Sequence, residues 1–179
     1  KVLNMAANQL SRLPQSLSML ESLDSLNFES NQIENLPLSI VQLVALRCLQ
    51  GSSNQMRAIP SELWNMALLS YVDFSENELT DEGLSIKSMN NVMRIVHLEG
   101  NQLTQFPVAM GKGEQLEYLN LSSNNLKSIA NIEAGFTGLK TLLLNWNQLQ
   151  DLPNSIGGFT AIERLEVENN DLKEIDAAI

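Results

Sequence analysis

One stretch decides the fold: Leu116-Glu117-Tyr118-Leu119-Asn120-Leu121-Ser122-Ser123-Asn124-Asn125-Leu126, which follows the frame L-x-x-L-x-L-x-x-N-x-L. The alternation in its middle is the period of a β-strand, so Leu119 and Leu121 are expected to point into a core while Asn120 points outward. A single copy of the frame cannot bury its apolar side alone. The stretch therefore predicts similar copies stacked on both sides.

The frame recurs along the whole chain, marked by an asparagine that returns every 23 residues, except for 24 residues between Asn77 and Asn101. All five prolines follow a repeat asparagine by six residues, where proline prevents re-entry into a strand ladder and starts a turn or 3₁₀ segment. We expect each asparagine amide to bond backbone groups that would otherwise be buried unpaired, which makes the series structural. The series comprises Asn8, Asn31, Asn54, Asn77, Asn101, Asn124, Asn147 and Asn170, and the prolines are Pro14, Pro37, Pro60, Pro107 and Pro153.

This frame resembles the leucine-rich repeat superfamily over essentially the whole chain. The resemblance implies an α/β fold, a curved, horseshoe-shaped solenoid. Its concave side would be a parallel sheet of about eight strands, and its convex segments would be mostly irregular or 3₁₀. The 23-residue spacing with Leu-Pro resembles cytosolic arrays in Ras-group leucine-rich repeat proteins, Scribble-type scaffolds, adenylyl cyclases and Roco GTPases. Residues 1–179 would form one array of about eight repeats, clipped at both ends, and we expect it to be a fragment of a longer protein.

Two places break the pattern. The segment 80–89 lacks the proline and carries the extra residue; Thr80 or Asp81 as N-cap, with an acid in the first turn, predicts a short helix there. Gly51 takes an inward position that the other repeats fill with Leu, Val, Met or Phe. We expect Phe28 and Phe74, at the same position in the flanking repeats, to fill the missing volume.

Charge and cysteine content exclude several classes of partner and location. The formal net charge of −10 disfavours nucleic acid or an anionic membrane as a partner and suits a protein with a basic patch. Cys48 is the sole cysteine, which excludes an internal disulfide and favours a reducing, cytoplasmic location. No apolar run approaches the roughly 18 residues that a membrane span needs.

The variable strand positions predict the functional surface, because their side chains project into solvent from the concave sheet. Six acids and a single base, Arg164, occupy these positions, so the concave side is expected to be acidic. In repeats four to seven, aromatic and apolar groups interrupt this polar surface, and such groups are typical interface anchors. The predicted partner-binding residues are Tyr71, Asp73, Glu76, Ile95, His97, Glu99, Tyr118, Leu143 and Trp146.

Catalysis is disfavoured on this surface. Asp73 and His97 would lie on adjacent strands near Ser75 or Ser122, the residue types of a nucleophilic triad. An open sheet, however, offers no enclosed pocket or oxyanion hole. His97, Asp73 and Glu99 also lack the usual spacing of metal ligands. We therefore expect no catalytic residues, no metal and no cofactor.

The favoured function is a protein-interaction scaffold that binds its partner through the concave, acidic, aromatic-bearing face. Two alternatives stay open at this point. The array would be the regulatory region of a multidomain signalling enzyme, such as a GTPase, phosphatase or cyclase, or it would belong to a secreted pathogen effector or surface protein. The sequence names neither the partner nor the oligomeric state.

Overall fold

The computed structural model describes residues 1–129, 135–152 and 154–174. Eight three-residue strands pair in parallel and in chain order within one sheet. The predicted α/β solenoid with a parallel sheet of eight strands is confirmed. The strands are β1 (Val2–Asn4), β2 (Ser25–Asn27), β3 (Cys48–Gln50), β4 (Tyr71–Asp73), β5 (Ile95–His97), β6 (Tyr118–Asn120), β7 (Thr141–Leu143) and β8 (Arg164–Glu166).

Each strand turns its middle residue into the core and its two outer residues away from it. From β2 to β7 the middle residues are fully buried and pair with one another across the sheet, as Leu26 does with Leu49 and Val72 with Val96. A second inward residue follows two positions later, such as Phe74 or Leu98, and is buried as well. The alternation of a strand therefore converts sequence position directly into a place on one side of the sheet.

The chain returns between strands mostly through 3₁₀ turns, which close the core from the convex side. Pro14, Pro37, Pro60 and Pro107 each directly precede such a turn, as the fixed φ of proline favours. Pro153, the fifth periodic proline, lies outside the described residues. The 3₁₀ turns span Gln15–Met19, Leu38–Gln42, Ser61–Asn65, Val108–Lys112 and Asn154–Gly158.

The longer repeat contains the helix predicted for it, α1 (Asp81–Leu84). Thr80 is its N-cap, and the Thr80 hydroxyl oxygen accepts a hydrogen bond of 3.2 Å from the Gly83 amide. The Asp81 carboxylate accepts a further bond of 3.0 Å from the backbone N–H of Thr104 in the next repeat. The helix is therefore capped locally and tied to the neighbouring repeat.

The repeat asparagine joins its own loop to that of the preceding repeat. The Asn124 amide nitrogen donates to the carbonyl oxygens of Leu98 at 2.9 Å and of Leu121 and Ser122 at 3.1 Å. Its side-chain oxygen accepts from the Leu103 amide at 3.0 Å. All four backbone partners are thereby satisfied in a buried place. The same pattern occurs at Asn31, Asn54, Asn77, Asn101, Asn147 and Asn170.

Asn8, the first member of the series, differs from the interior ones. It is exposed, and its amide nitrogen donates only to the carbonyl oxygens of Met5 and Ala6 in its own repeat. Asn124, in contrast, is only 6% exposed. The repeat asparagine is therefore exposed at Asn8, at the edge of the array, and buried in the interior repeats.

The space beside Gly51 is filled by the Phe28 ring and the terminal methyl group of Met56. Both side chains are fully buried. The sequence predicted that Phe74 would also fill it, but no Phe74 atom is among the three nearest to a side chain placed at Gly51. The Phe28 part of the prediction is confirmed, the Phe74 part stays a prediction, and Met56, from the loop of the same repeat, is a neighbour that was not predicted.

A further periodic feature was not predicted: the residue before each repeat asparagine has a left-handed backbone. Its φ is 64° at Gly100 and between 52° and 57° in the other repeats. This conformation costs a residue with a side chain roughly 1–2 kcal/mol. A sequence signal exists, since most repeats have a small or polar residue here. The non-glycine members are Ala7, Ser30, Ser53, Glu76, Ser123, Trp146 and Asn169.

Candidate functional site

The surface of interest is the side of the sheet that faces away from the core, which we call the concave face. Its first row holds the first residue of each strand, and its second row holds the last; the strand pairing aligns both rows as Cα partners. The first row is Val2, Ser25, Cys48, Tyr71, Ile95, Tyr118, Thr141 and Arg164. The second row is Asn4, Asn27, Gln50, Asp73, His97, Asn120, Leu143 and Glu166.

Three rings meet at the middle of this face, and we call them the aromatic trio: Tyr71, His97 and Tyr118. The ring centre of His97 lies 5.7 Å from that of Tyr71 and 4.8 Å from that of Tyr118, with tilts of 46° and 39°. His97 stands in the second row and lies between the two tyrosines of the first row. The trio therefore forms one continuous aromatic surface across β4, β5 and β6.

The polar atoms of the trio are not used by the protein itself. Among the described residues, neither tyrosine hydroxyl nor the His97 ring has a hydrogen-bond partner, although the rings are half-buried. Burial raises the pKa of both tyrosines, and the charge of Asp73 at Tyr71 and of Glu99 at Tyr118 adds to it. Both hydroxyl groups therefore stay protonated and can donate to a ligand.

Two carboxylates flank the trio in fixed positions. One oxygen of Asp73 accepts hydrogen bonds from the backbone N–H of Ser75 at 3.0 Å and from its hydroxyl at 2.6 Å. One oxygen of Glu99 accepts a bond of 2.7 Å from the Asn120 side chain. Each carboxylate is thus held by a single oxygen, and its second oxygen has no partner among the described residues.

A third carboxylate, that of Glu76 in the loop after β4, lies against the backbone of Gly100. A Cβ atom on Gly100 would come within 2.5 Å of a Glu76 carboxylate oxygen, so the glycine leaves the room that this side chain occupies. Glu76 is exposed, unlike Asp73 and Glu99, which are half-covered. The face between β4 and β5 is therefore strongly acidic.

The structure brings most of the predicted binding residues together but separates two of them. Ile95 lies between Tyr71 and Tyr118 in the first row and completes the cluster. Leu143 is on β7, and Trp146 follows β7 with 63% of its surface exposed. The expectation that all these side chains project freely into solvent is wrong for every one except Glu76 and Trp146, because neighbours on strands roughly 4.8 Å apart cover one another.

Sequence reasoning missed Asn120 and Ser122, which are polar yet buried at 5% exposure each. Asn120 holds Glu99, and its side-chain oxygen also accepts from the Ser122 backbone N–H at 3.0 Å. The second row carried a usable signal. Asn4 and Asn27 make the same bond to the residue two positions on, so an Asn or Asp in this row closes the loop after the strand.

The geometry around His97 differs from that of a nucleophilic triad. The Ser75 hydroxyl donates to Asp73 and not to His97. No hydrogen bond joins His97 to a serine or to Asp73 within residues 1–129, 135–152 and 154–174. Over the same ranges, no three side chains of His, Cys, Asp or Glu converge as metal ligands would. Burial raises the pKa of the Cys48 thiol, which keeps it in its unreactive protonated form.

Basic side chains near the face are paired at its rim. Glu117 binds both Arg94 at 2.9 Å and Lys140 at 2.8 Å. On the face itself, Arg164 pairs with Glu166 at its own strand. These positive charges are thus paired with other acids, although the charge of Arg164 still acts at Tyr118, where it lowers the pKa against the effects of burial and Glu99. In the described part of the chain, none of the helices has the length and apolar character needed to cross a bilayer.

Comparison with known proteins identifies the class. A family model described as "Leucine rich repeat" matches residues 91–149. The chain resembles the crystal structure of an internalin from Listeria monocytogenes with a TM-score of 0.76 and 26% sequence identity, covering 91% of this chain and 46% of that one. No curated protein matches the sequence. The chain has the leucine-rich repeat fold that its sequence pattern predicted, and its residues 91–149 match the family model.

A second solved structure has the same fold. It is the leucine-rich repeat ectodomain of the plant membrane receptor kinase GASSHO1/SCHENGEN3 from Arabidopsis thaliana, in complex with Casparian strip integrity factor 2. The TM-score is 0.67 and the identity 24%, over 97% of this chain and 24% of that one. The chain therefore spans less than half the length of either structure. The narrower resemblance to cytosolic Leu-Pro arrays stays a prediction.

Proposed function

We propose that this chain is a protein-interaction scaffold, not an enzyme, and that it binds a partner protein through the concave face over β4–β6. The observation that carries the proposal is the aromatic trio flanked by Asp73 and Glu99. Tyrosines that are half-buried, fixed by neighbours and unpaired at their hydroxyls have the properties of interface anchors, since little side-chain freedom is lost when they are covered.

The open shape of the site supports a macromolecular partner. An uncovered sheet presents a surface to a partner, whereas small ligands bind in concave pockets that bury most of their area. The Arabidopsis receptor structure, a complex with Casparian strip integrity factor 2, is consistent with such a use of the fold, by analogy only. The acidic surroundings favour a partner with a basic patch over a nucleic acid or an anionic membrane. The unpaired Cys48 supports a cytoplasmic location.

The first test removes the aromatic anchors. Affinity purification with the wild-type chain identifies a partner, and surface plasmon resonance then compares wild type with Tyr71→Ala/Tyr118→Ala. We expect about a 30-fold faster dissociation, which corresponds to roughly 2 kcal/mol. A partner that binds both forms equally would refute the concave site and direct attention to the convex segment 80–89.

The second test removes charge without removing structure. Asp73→Asn keeps the oxygen that accepts from Ser75, because Asn27 makes the same bond in its own strand. Combined with Glu99→Gln, it should mainly slow association, and the effect should shrink as salt screens the surface. Glu62→Gln/Glu82→Gln, in the convex segments Ser61–Asn65 and α1, removes the same number of negative charges and should leave the association rate unchanged.

A further inference from the structure

We infer that the aromatic trio with Asp73 and Glu99 is a recognition site for an arginine side chain of the partner protein. This inference rests on the proposed function and specifies the chemistry of the contact. Its starting point is that aromatic rings and carboxylates without an ion pair to any described residue lie together on adjacent strands.

Some acids away from the trio have cationic partners among the described residues. Asp24 pairs with Arg47, Glu78 with Arg57, and Glu117 with two bases. Asp73, Glu76 and Glu99 form no ion pair with any described residue, although they lie on adjacent strands. The strands β4–β6 carry no Lys or Arg in either row. A cation from outside would therefore meet carboxylates that no base on these strands already pairs.

The free carboxylate oxygens have a defined place. Ser75 donates to one carboxylate oxygen of Asp73, and Asn120 donates to one carboxylate oxygen of Glu99. The other oxygen of each carboxylate is unpaired within the described part of the chain. They belong to side chains on or just after β4 and β5, on either side of His97. A single group that bridges both must present N–H donors that point in more than one direction.

A guanidinium group has that geometry. Its fork of N–H donors suits carboxylates, and its flat face stacks on aromatic rings with a cation–π contribution. The two tyrosine rings offer such faces beside the carboxylates, with His97 4.8 Å from Tyr118. A lysine ammonium is a compact, strongly hydrated charge. It has no flat face to stack on a ring and no fork of donors to match a carboxylate, so it makes these contacts less well than a guanidinium group does. The site therefore favours arginine over lysine.

The test measures binding of small peptides directly. The rings of Tyr71, His97 and Tyr118 are followed by NMR at low salt while acetyl-Gly-Arg-Gly-amide is added. Two peptides serve as matched controls: one with citrulline, which keeps the shape of arginine without its charge, and one with lysine. We expect saturable shifts of the three rings with a millimolar Kd for arginine, at least about tenfold weaker binding for citrulline, and weaker binding for lysine.

Variants of the protein complete the test. Asp73→Asn/Glu99→Gln should weaken arginine-peptide binding by about tenfold or more while the melting temperature stays unchanged, and the control Glu62→Gln/Glu82→Gln should leave the binding unchanged. Three results would overturn the inference: equal binding of citrulline, tighter binding of lysine, or arginine-induced shifts confined to other residues.

The inference and the proposed function fail in different ways. If the arginine peptide does not bind the trio but a purified partner still depends on Tyr71 and Tyr118, arginine recognition is wrong and the scaffold proposal stands. If the partner is insensitive to both tyrosines, the proposed function is wrong too. The peptide titration needs no identified partner, so it gives a result in either case.

Discussion

The Phe28 ring occupies the volume that a side chain on Gly51 would need. A Cβ atom placed on Gly51 would lie 2.4 Å from Phe28 Cζ and 2.5 Å from Phe28 Cε2, far inside contact distance. Phe28 is fully buried and therefore has nowhere to move without displacing its neighbours. The large residue of one repeat and the missing side chain of the next form one packing unit.

Gly51→Leu should therefore overpack the core and lower the free energy of unfolding by roughly 1–3 kcal/mol, as measured by urea denaturation. Phe28→Leu in the same chain is the matched test, since a smaller side chain should recover part of the loss. The two substitutions would then be strongly non-additive. A higher melting temperature for Gly51→Leu alone would show that the space is empty.

Asn124→Ala should destabilise the fold by about 1–3 kcal/mol, because the buried Leu103 N–H loses its partner and three carbonyl groups each lose one of their two hydrogen bonds. Asn8→Ala, at the same repeat position but exposed, should change the free energy of unfolding by less than about 0.5 kcal/mol. Thermal unfolding followed by circular dichroism measures both. Equal losses would mean that the bonds across loops are not what stabilises the interior.

Trp146 combines a bulky, exposed ring with a left-handed backbone, φ 57°. Trp146→Gly should be more stable than Trp146→Ala by about 1 kcal/mol, because both remove the ring but only glycine adopts this conformation without steric cost. Chemical denaturation of the two variants gives the difference. If alanine proved the more stable, the backbone at this position would not be strained.

The ion pairs of Glu117, at the rim of the concave face, should make the stability of the protein depend on pH. The hydrogen bond from Lys140, aided by Arg94, lowers the pKa of Glu117 from its ordinary value of 4.5. Its contribution is therefore present above about pH 4.5 and is lost as pH falls through the lowered pKa. The wild type should lose its small advantage over Glu117→Gln as the pH is lowered below that value, as measured by thermal unfolding.

An advantage of the wild type that grew on acidification would contradict this assignment. The effect is expected to be small because the pair is at the surface, where salt and water weaken it. High salt should reduce it further, and this separates the ion pair from any packing change caused by the substitution.

The rows of the concave face could be predicted from sequence because a strand has a fixed period of two and the repeat has a nearly constant length. That reasoning aligned Tyr71 with Ile95 and Tyr118, as the strand pairing does. It could not give the tilt of His97 toward the tyrosine row or the bond from Asn120 to Glu99, because rotamers depend on neighbours from other repeats.

Other features required packing information that no single repeat contains. The contact of Met56 with the space beside Gly51 depends on how the side chain from the following loop packs, which residue volume alone does not decide. The left-handed position, in contrast, was visible as a bias toward small and polar residues. Glu76 and Trp146 conceal that bias in their own repeats.

The extra residue of the fourth repeat leaves the sheet undisturbed. The pairing of Tyr71 with Ile95 is continuous with that of the neighbouring strands, and Asn101 still reaches the Phe74 carbonyl at 3.0 Å, now across 27 residues. The added length is taken up on the convex side, in the segment that contains α1. That segment is therefore a natural insertion point: an epitope tag, a fluorophore attachment residue or a small domain could be placed after Leu84 to report on binding from the opposite side of the molecule.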